Sequence, residues 1–330
     1  MCRHSYNYFE ALLTTGGDDR TIINTETGCN KYHIRPQPVA ETDIFRGSCT
    51  GNPPTKRGYA AAKELYANTF ANLQGASLDE ATRKVFQNQR DRLAKLLDLP
   101  EGAEIVLCPS GSDAEYIPLA IAKMLNPDAK ITNGVTQVKE IGAGSAPAAL
   151  GRFFSKYTPL TGLVPDVDKA LSGFAGIEGK TLNARKADGS VESSSAQMDV
   201  FLKESLKRGE YPIVHGVFGG KTGLRDDVMP GSLDGGDTSL GIVDACQGRF
   251  TKEELQGWMD QDSLVLFTGS KFFQAPPFAG AVIIPPAIAK KLHKTAVTSN
   301  EMFTNEGLGG MYLNERALSI VFFSSSEISS

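Results

Sequence analysis

A chain of 330 residues with 41% hydrophobic content can bury a large core, and its 34 basic and 38 acidic residues leave a formal charge of -4 with no block of one sign. That balance excludes an electrostatic footprint for nucleic acid or a membrane surface, and the apolar stretch Ala279 to Ile284 ends at Pro285-Pro286, far short of a bilayer span. Cys2, Cys29, Cys49, Cys108 and Cys246 are odd in number and lack CxxC spacing, so we expect no disulfide framework, no zinc or other metal site, and a reducing, cytoplasmic setting.

Met1 to Leu13 contains His4 and Glu10 and has no continuous apolar core, which does not read as a signal peptide. Residues 1-58 are rich in Thr, Asn, Gly and Pro and end in Gly51-Asn52-Pro53-Pro54, the composition of an irregular arm, so regular structure is expected only beyond them. Ser77-Leu78-Asp79-Glu80 has the spacing of a capping box, and Val85, Leu93, Leu96 and Leu97 recur near helical spacing, which predicts a helix over 77-98. Glu104 to Cys108 then reads as a strand, Ser112 to Leu125 as a helix, Ala129 to Thr136 as a strand and Ala143 to Arg152 as a short helix. The alternation continues with strands at 180-185, 211-218, 240-245 and 263-268 and helices at 195-208 and 251-259. Short strands separated by helices imply an α/β three-layer sandwich around a mostly parallel sheet. Ala279 to Ile284 follows its predecessor too closely for a helical crossover and is expected to run antiparallel. We divide the chain into an arm (1-58), a large domain (59-290) and the abbreviated start of a C-terminal domain (291-330), because about 40 residues that drop into Thr, Ser, Asn and Gly beyond Lys294 can hardly form a second packed unit.

The residues with chemistry fall where strands end, the place at which open α/β sheets collect ligands. Ser110-Gly111-Ser112-Asp113 links a strand to a helix, a junction that can hold a phosphate on backbone N-H groups, although Ser112 and Glu115 are also spaced as a simple capping box. Asp244 closes Gly241-Ile242-Val243, where a partly buried carboxylate needs a cationic partner, and its plain structural role would be to cap the turn before the next helix. Gln247 stands three residues on and can donate an amide N-H. Lys271 follows Leu264-Val265-Leu266-Phe267-Thr268-Gly269-Ser270, an unusual place for a lysine that serves only solubility, and Thr268 and Ser270 are set to bond phosphate oxygens from the same loop. A lysine for a Schiff base and an acid for a pyridinium nitrogen are what a pyridoxal-phosphate site requires. The catalytic candidates are therefore Lys271 and Asp244, and the cofactor-binding set is Ser110, Gly111, Ser112, Asp244, Gln247, Thr268, Ser270 and Lys271.

Ser110-Gly111-Ser112-Asp113-Ala114, Asp244-Ala245-Cys246-Gln247 and Gly269-Ser270-Lys271, in that order, resemble the fold-type I pyridoxal-phosphate enzymes, in particular the class V aminotransferase and cysteine-desulfurase-like branch. The resemblance covers about residues 59 to 290 and implies a pyridoxal-phosphate-dependent transferase-like fold, pyridoxal 5'-phosphate on Lys271, an amino acid or related amine as substrate, and a homodimer with active sites at the subunit boundary. It implies aminotransferase activity first, elimination by a lyase second, and a non-catalytic scaffold as the alternative of another class. The chain also departs from the branch: Lys139-Glu140-Ile141-Gly142-Ala143-Gly144 offers no ring to stack on the cofactor, and the Asn-Glu-Thr-Gly loop becomes Gly220-Lys221-Thr222-Gly223. No cysteine follows Cys246, which argues against persulfide chemistry, and Arg316 is the one arginine in the C-terminal part. A phosphate-binding P-loop at Gly219-Gly220-Lys221-Thr222 is the rival reading, weakened by His215 at the position that the motif gives to glycine. His215 itself reads as a core-edge residue rather than a base.

Overall fold

The computed structural model describes residues 7-15, 18-40, 42-45, 47, 49-71, 78-136, 139-158 and 166-295. The expected cap Ser77, Cys2, Arg316 and almost all of the presumed C-terminal unit lie outside these residues.

Among the described residues one seven-stranded sheet forms the centre: β1 (Glu104–Cys108), β2 (Ile131–Thr136), β3 (Glu178–Leu182), β4 (Tyr211–Val217), β5 (Leu240–Asp244), β6 (Leu264–Thr268) and β7 (Gly280–Ile284). Their spatial order is β1-β7-β6-β5-β4-β2-β3. Strands β3, β2, β4, β5 and β6 run parallel, whereas β7 is antiparallel to both β6 and β1, as its short connection requires. Every residue of β4 through β7 is buried, the signature of strands covered on both faces.

The helices are α1 (Tyr8–Thr14), α2 (Lys56–Leu65), α3 (Leu78–Leu97), α4 (Gly111–Ala114), α5 (Tyr116–Leu125), α6 (Ser145–Ala148), α7 (Ser194–Lys207), α8 (Lys252–Met259) and α9 (Pro286–Leu292). One face of the sheet carries Val106, Ile213, Leu240, Ile242, Leu266 and Val282 under α5 and α9, in a cluster that includes Ile117, Leu119, Ile121 and Ile288. The other face carries Val243, Val265 and Ile283 under Leu255, Trp258 and Met259 of α8. Strands β5, β6 and β7 divide their side chains between these two clusters by simple alternation.

Two expectations need correction. The first 58 residues are not wholly irregular, because α1 is closed by a reciprocal capping box between Asn7 and Glu10, and α2 begins at Lys56 with Thr55 as its N-cap. The helix expected from Ser112 to Leu125 is two, with Ser110 rather than Ser112 as the first cap, and α5 restarts at Tyr116 so that Pro118 falls in a first turn, where a missing N-H costs nothing.

Candidate active site

The carboxyl ends of β1, β2, β4, β5 and β6 meet at one edge of the sheet. There the loop after β1 is drawn down onto the loops after β5 and β6: a Cβ on Gly111 would stand 2.7 Å from the Cys246 Sγ and 3.4 Å from the Thr268 Cγ2. Ser110 caps α4, its hydroxyl donating to Asp113 Oδ2 at 2.5 Å and accepting from the Asp113 N-H at 3.3 Å. Ser112 turns to the loop after β2, 2.9 Å from where a Gly144 Cβ would be. Ser110, Gly111 and Ser112 are all buried, so this turn is part of the floor rather than a free surface loop.

Asp244 closes β5 opposite Val217 of β4, and its Oδ1 accepts the Cys246 N-H at 3.0 Å. Gln247, on the same turn, is buried with its Oε1 lacking a hydrogen-bond partner among the described residues. Thr268 ends β6 and is wholly buried, and its hydroxyl donates to the Cys246 carbonyl at 2.9 Å, which ties the β5 and β6 exits together. Ser270 follows with a buried hydroxyl that has no partner among the described residues. Lys271 is half-buried at the start of the next turn, where its carbonyl accepts the Gln274 N-H at 3.2 Å. The ammonium of Lys271 and the carboxylate of Asp244 act on the same neighbours: both influence the Glu115 carboxyl and the Cys246 thiol. The structure thus brings Ser110, Gly111, Ser112, Asp244, Gln247, Thr268, Ser270 and Lys271 to one edge, with Thr268 already engaged as a tie.

Three further residues belong to this edge and were not singled out as site residues from the sequence. Glu115, between α4 and α5, turns inward and is about 1% exposed, and His215 of β4 is equally buried. Burial, with the Asp244 charge adding to it and Lys271 opposing, pushes the Glu115 carboxyl well above the usual carboxylate range. Burial pulls the imidazole of His215 down to about 4 against the opposing pull of Asp244. Glu140, from the loop after β2, accepts the Thr222 N-H at 2.9 Å, the Thr222 hydroxyl at 3.0 Å and Arg185 Nε-H at 3.3 Å, while its carbonyl accepts the Lys221 N-H at 2.8 Å. Burial would raise the Glu140 carboxyl, but the Thr222 and Arg185 bonds outweigh it and leave it below its usual value. This carboxylate occupies the loop that the P-loop reading would have given to a phosphate. No helix follows Thr222 before Pro230, so that reading fails on both counts.

A groove of about 830 Å³ lies between α2, α3 and Pro276 to Ala279, lined by Gly58, Leu65, Val85 and Arg92. None of the edge residues above lines it. Among the described residues there is no cluster of three or more His, Cys, Asp or Glu side chains that could hold a metal ion, and no helix long and apolar enough to cross a membrane.

Neither a family model nor a curated protein matches the chain. Among solved structures it is similar to the glutamate decarboxylase domain of diaminobutyrate-pyruvate transaminase and L-2,4-diaminobutyrate decarboxylase from Vibrio parahaemolyticus, at 17% identity and a TM-score of 0.49, over 74% of this chain and 53% of that one. Mouse CSAD is similar at 15% identity and a TM-score of 0.49, over 81% and 55% of the two chains. The 4-hydroxyphenylacetaldehyde synthase of Rhodiola rosea is similar at 16% identity and a TM-score of 0.48, over 88% and 66%. The chain therefore spans between 53% and 66% of the length of these structures.

Proposed function

We propose that the edge formed by Ser110 to Ser112, Asp244 to Gln247 and Ser270-Lys271 binds pyridoxal 5'-phosphate, and that the protein is a pyridoxal-phosphate-dependent enzyme acting on an amino acid or related amine. The observation that carries this reading is a set of buried polar atoms with no partner among the described residues, the Ser270 hydroxyl and the Gln247 Oε1, at the edge that Lys271 and Asp244 share. Buried polar atoms are normally satisfied, and their concentration where an amine and a carboxylate converge fits a polar ligand there. Gly111 adds to the fit, since its missing side chain lets backbone approach the floor.

When bound, the group supplies an aldehyde for the lysine and a ring that accepts electron density from the substrate α-carbon. The chain's own residues divide the remaining work. Asp244 supplies a carboxylate fixed by the Cys246 N-H, suited to a protonated ring nitrogen. Gln247 and Ser270 supply side-chain hydrogen bonds, and Ser110 to Ser112 a cradle for the phosphate. The Lys271 amine holds the group and takes or returns a proton at the substrate carbon. Transamination is our first assignment and elimination by a lyase our second, in the class V aminotransferase-like branch, with a homodimer as the working assembly.

The test is to add pyridoxal phosphate to purified protein, record the visible absorption, reduce with borohydride and map the modified peptide. We expect a band and a label on Lys271, and neither in Lys271→Ala. A wild-type protein with no band and no label would overturn the assignment. Product analysis with a panel of amino acids, with and without a 2-oxo acid, separates the two reactions.

A further inference from the structure

His215 and Asp244 lie on adjacent parallel strands, β4 and β5, in a register that pairs His215 with Ile242 and Val217 with Asp244. Paired residues and those two positions along a strand share a face, so both side chains point to the same side of the sheet, diagonally related. Ile213, Leu240 and Ile242 mark that face as the one covered by α5, and Glu115 enters it from the α4-α5 junction. The Glu115 Oε2 stands 3.5 Å from the His215 Nδ1. That spacing is long for a hydrogen bond, and Glu115 Oε2 and His215 Nε2 have no hydrogen-bond partner among the described residues. Two titratable side chains, each about 1% exposed, are therefore placed head to head on the sheet face that carries the carboxylate assigned to the ring nitrogen, with hydrogen-bonding capacity unspent.

We propose that Glu115 and His215 are positioning residues for Asp244: Glu115 fixes the imidazole so that Nε2-H faces the Asp244 side, and that donor orients Asp244 toward the ring nitrogen of the bound group. The proposal rests on the cofactor assignment above.

The proton inventory agrees with this arrangement. Burial favours the neutral form of both groups, leaving a protonated Glu115 to donate its O-H to Nδ1 and the single imidazole proton on Nε2. The charged groups around the pair are Asp244 from β5 and Lys271 from the exit of β6. On the β2 side the neighbour is the Thr136 hydroxyl, 2.8 Å from the His215 carbonyl and 2.7 Å from Asp226 Oδ2, with its one proton donated to either acceptor. Asp226 also accepts the Val217 N-H, so its carboxylate is committed to the β4 backbone. Neither Glu115 nor His215 is demanded by packing, since an apolar pair of similar volume would fill the same space without the cost of desolvation.

The test compares two ligands that differ only at the ring nitrogen: pyridoxal phosphate and its analogue with carbon in that position. Wild-type apoprotein should bind pyridoxal phosphate more tightly than the carbon analogue. In Glu115→Ala and His215→Phe this preference should fall by about tenfold, the scale of one hydrogen bond to a charged group. Glu115→Gln, whose amide N-H can still donate to Nδ1, should retain the preference. Should His215→Phe not fold, His215→Gln reads the same quantity. Equal weakening of both ligands in the variants, or an unchanged preference, would overturn the positioning role while leaving the cofactor assignment intact. Wild-type protein that binds neither ligand would overturn both. Nitrogen chemical shifts of His215 in the apoprotein give a reading independent of any ligand: the Nε2-H tautomer supports the arrangement, and the Nδ1-H tautomer overturns it.

Discussion

The Gly111 α-carbon lies so close to Cys246 that a Cβ there would be 2.7 Å from the Sγ, a contact between the first turn after β1 and the turn after β5. Gly111→Ala must displace the buried Cys246 thiol or one of the two turns, and overpacking of this kind costs about 1–3 kcal/mol. Urea titration should show that loss, and pyridoxal phosphate should bind more weakly because the cradle shifts. Cys246→Ala clears the clashing atom, so the double variant should recover part of the stability. A double variant no more stable than the sum of the single losses would show that the contact is not the source of the effect.

Ser270→Ala separates folding from binding. The hydroxyl is buried without a partner among the described residues, so its removal should leave the apoprotein as stable or raise stability by up to about 1 kcal/mol, while cofactor affinity drops. Thermal melts with and without pyridoxal phosphate check both halves. A clear loss of apoprotein stability would mean that Ser270 serves the fold.

The Glu115–His215 pair sets a pH signature. Burial favours protonated Glu115 and neutral His215 in the folded protein, so that in the titration count, which leaves out the N-H of the neutral ring, the folded pair carries one proton. The unfolded chain releases the Glu115 proton above its ordinary value of 4.5 and binds one on His215 below 6.5. Between 4.5 and 6.5 both states hold one proton, and the pair gives stability no pH dependence. Above 6.5 the unfolded chain holds none while the folded pair keeps its proton, so stability falls as pH rises, by up to about 1.4 kcal/mol per unit, until Glu115 ionises at its raised folded value. Below 4.5 the unfolded chain holds two, and stability falls as pH drops toward about 4, where the folded imidazole takes up its proton. Glu115→Gln should abolish the alkaline decline. Denaturant midpoints of the two proteins at pH 6 and pH 8.5 settle it: parallel behaviour across that window would count against a buried shared proton.

Glu140→Ala should free Gly220 to Gly223 by removing the acceptor for the Thr222 N-H and hydroxyl and for Arg185, at a cost of about 2 kcal/mol. Hydrogen exchange at Thr222 and limited proteolysis near Lys221 report the release. Because the Glu140 carboxyl sits below its usual value, its contribution is present above about pH 4.5 and is lost as pH falls toward the lowered folded value. Unchanged exchange at Thr222 would place the loop's anchor elsewhere.

Strands β4 to β7 were legible because they are short apolar runs, whereas β3, expected at 180-185, spans Glu178–Leu182 and is exposed up to its last residue; β7 was read correctly as antiparallel because Lys271 and Gly280 are too close in sequence for a crossover. The strand-end motifs were legible for the same reason, since Asp244 and Ser270-Lys271 interrupt runs whose hydrophobicity marks them as interior. The Asn7–Glu10 box of α1 carried a local signal that composition masked. Glu115 and His215 carried none: they are separated by 100 positions, and only the packing of the α4-α5 junction over β4 brings them together. The same holds for Glu140 and Thr222, which meet across 82 positions in a loop whose sequence resembles a phosphate cradle.

The segment after Lys271 is closed at its base by Gly269 N-H to Ala279 O at 2.7 Å, buttressed by Ala275 N-H to Gly269 O at 2.9 Å, and gripped from outside by Thr55 N-H on Gln274 O at 2.8 Å. Gln274 and Phe278 hold left-handed backbone angles of 47° and 65° within it. The lysine is thus mounted on a hoop with both feet on neighbouring strands and a clamp at its crown. Under the proposed function, travel of the amine falls to rotation about its own four methylenes, since the main chain beneath it is tied at base and crown.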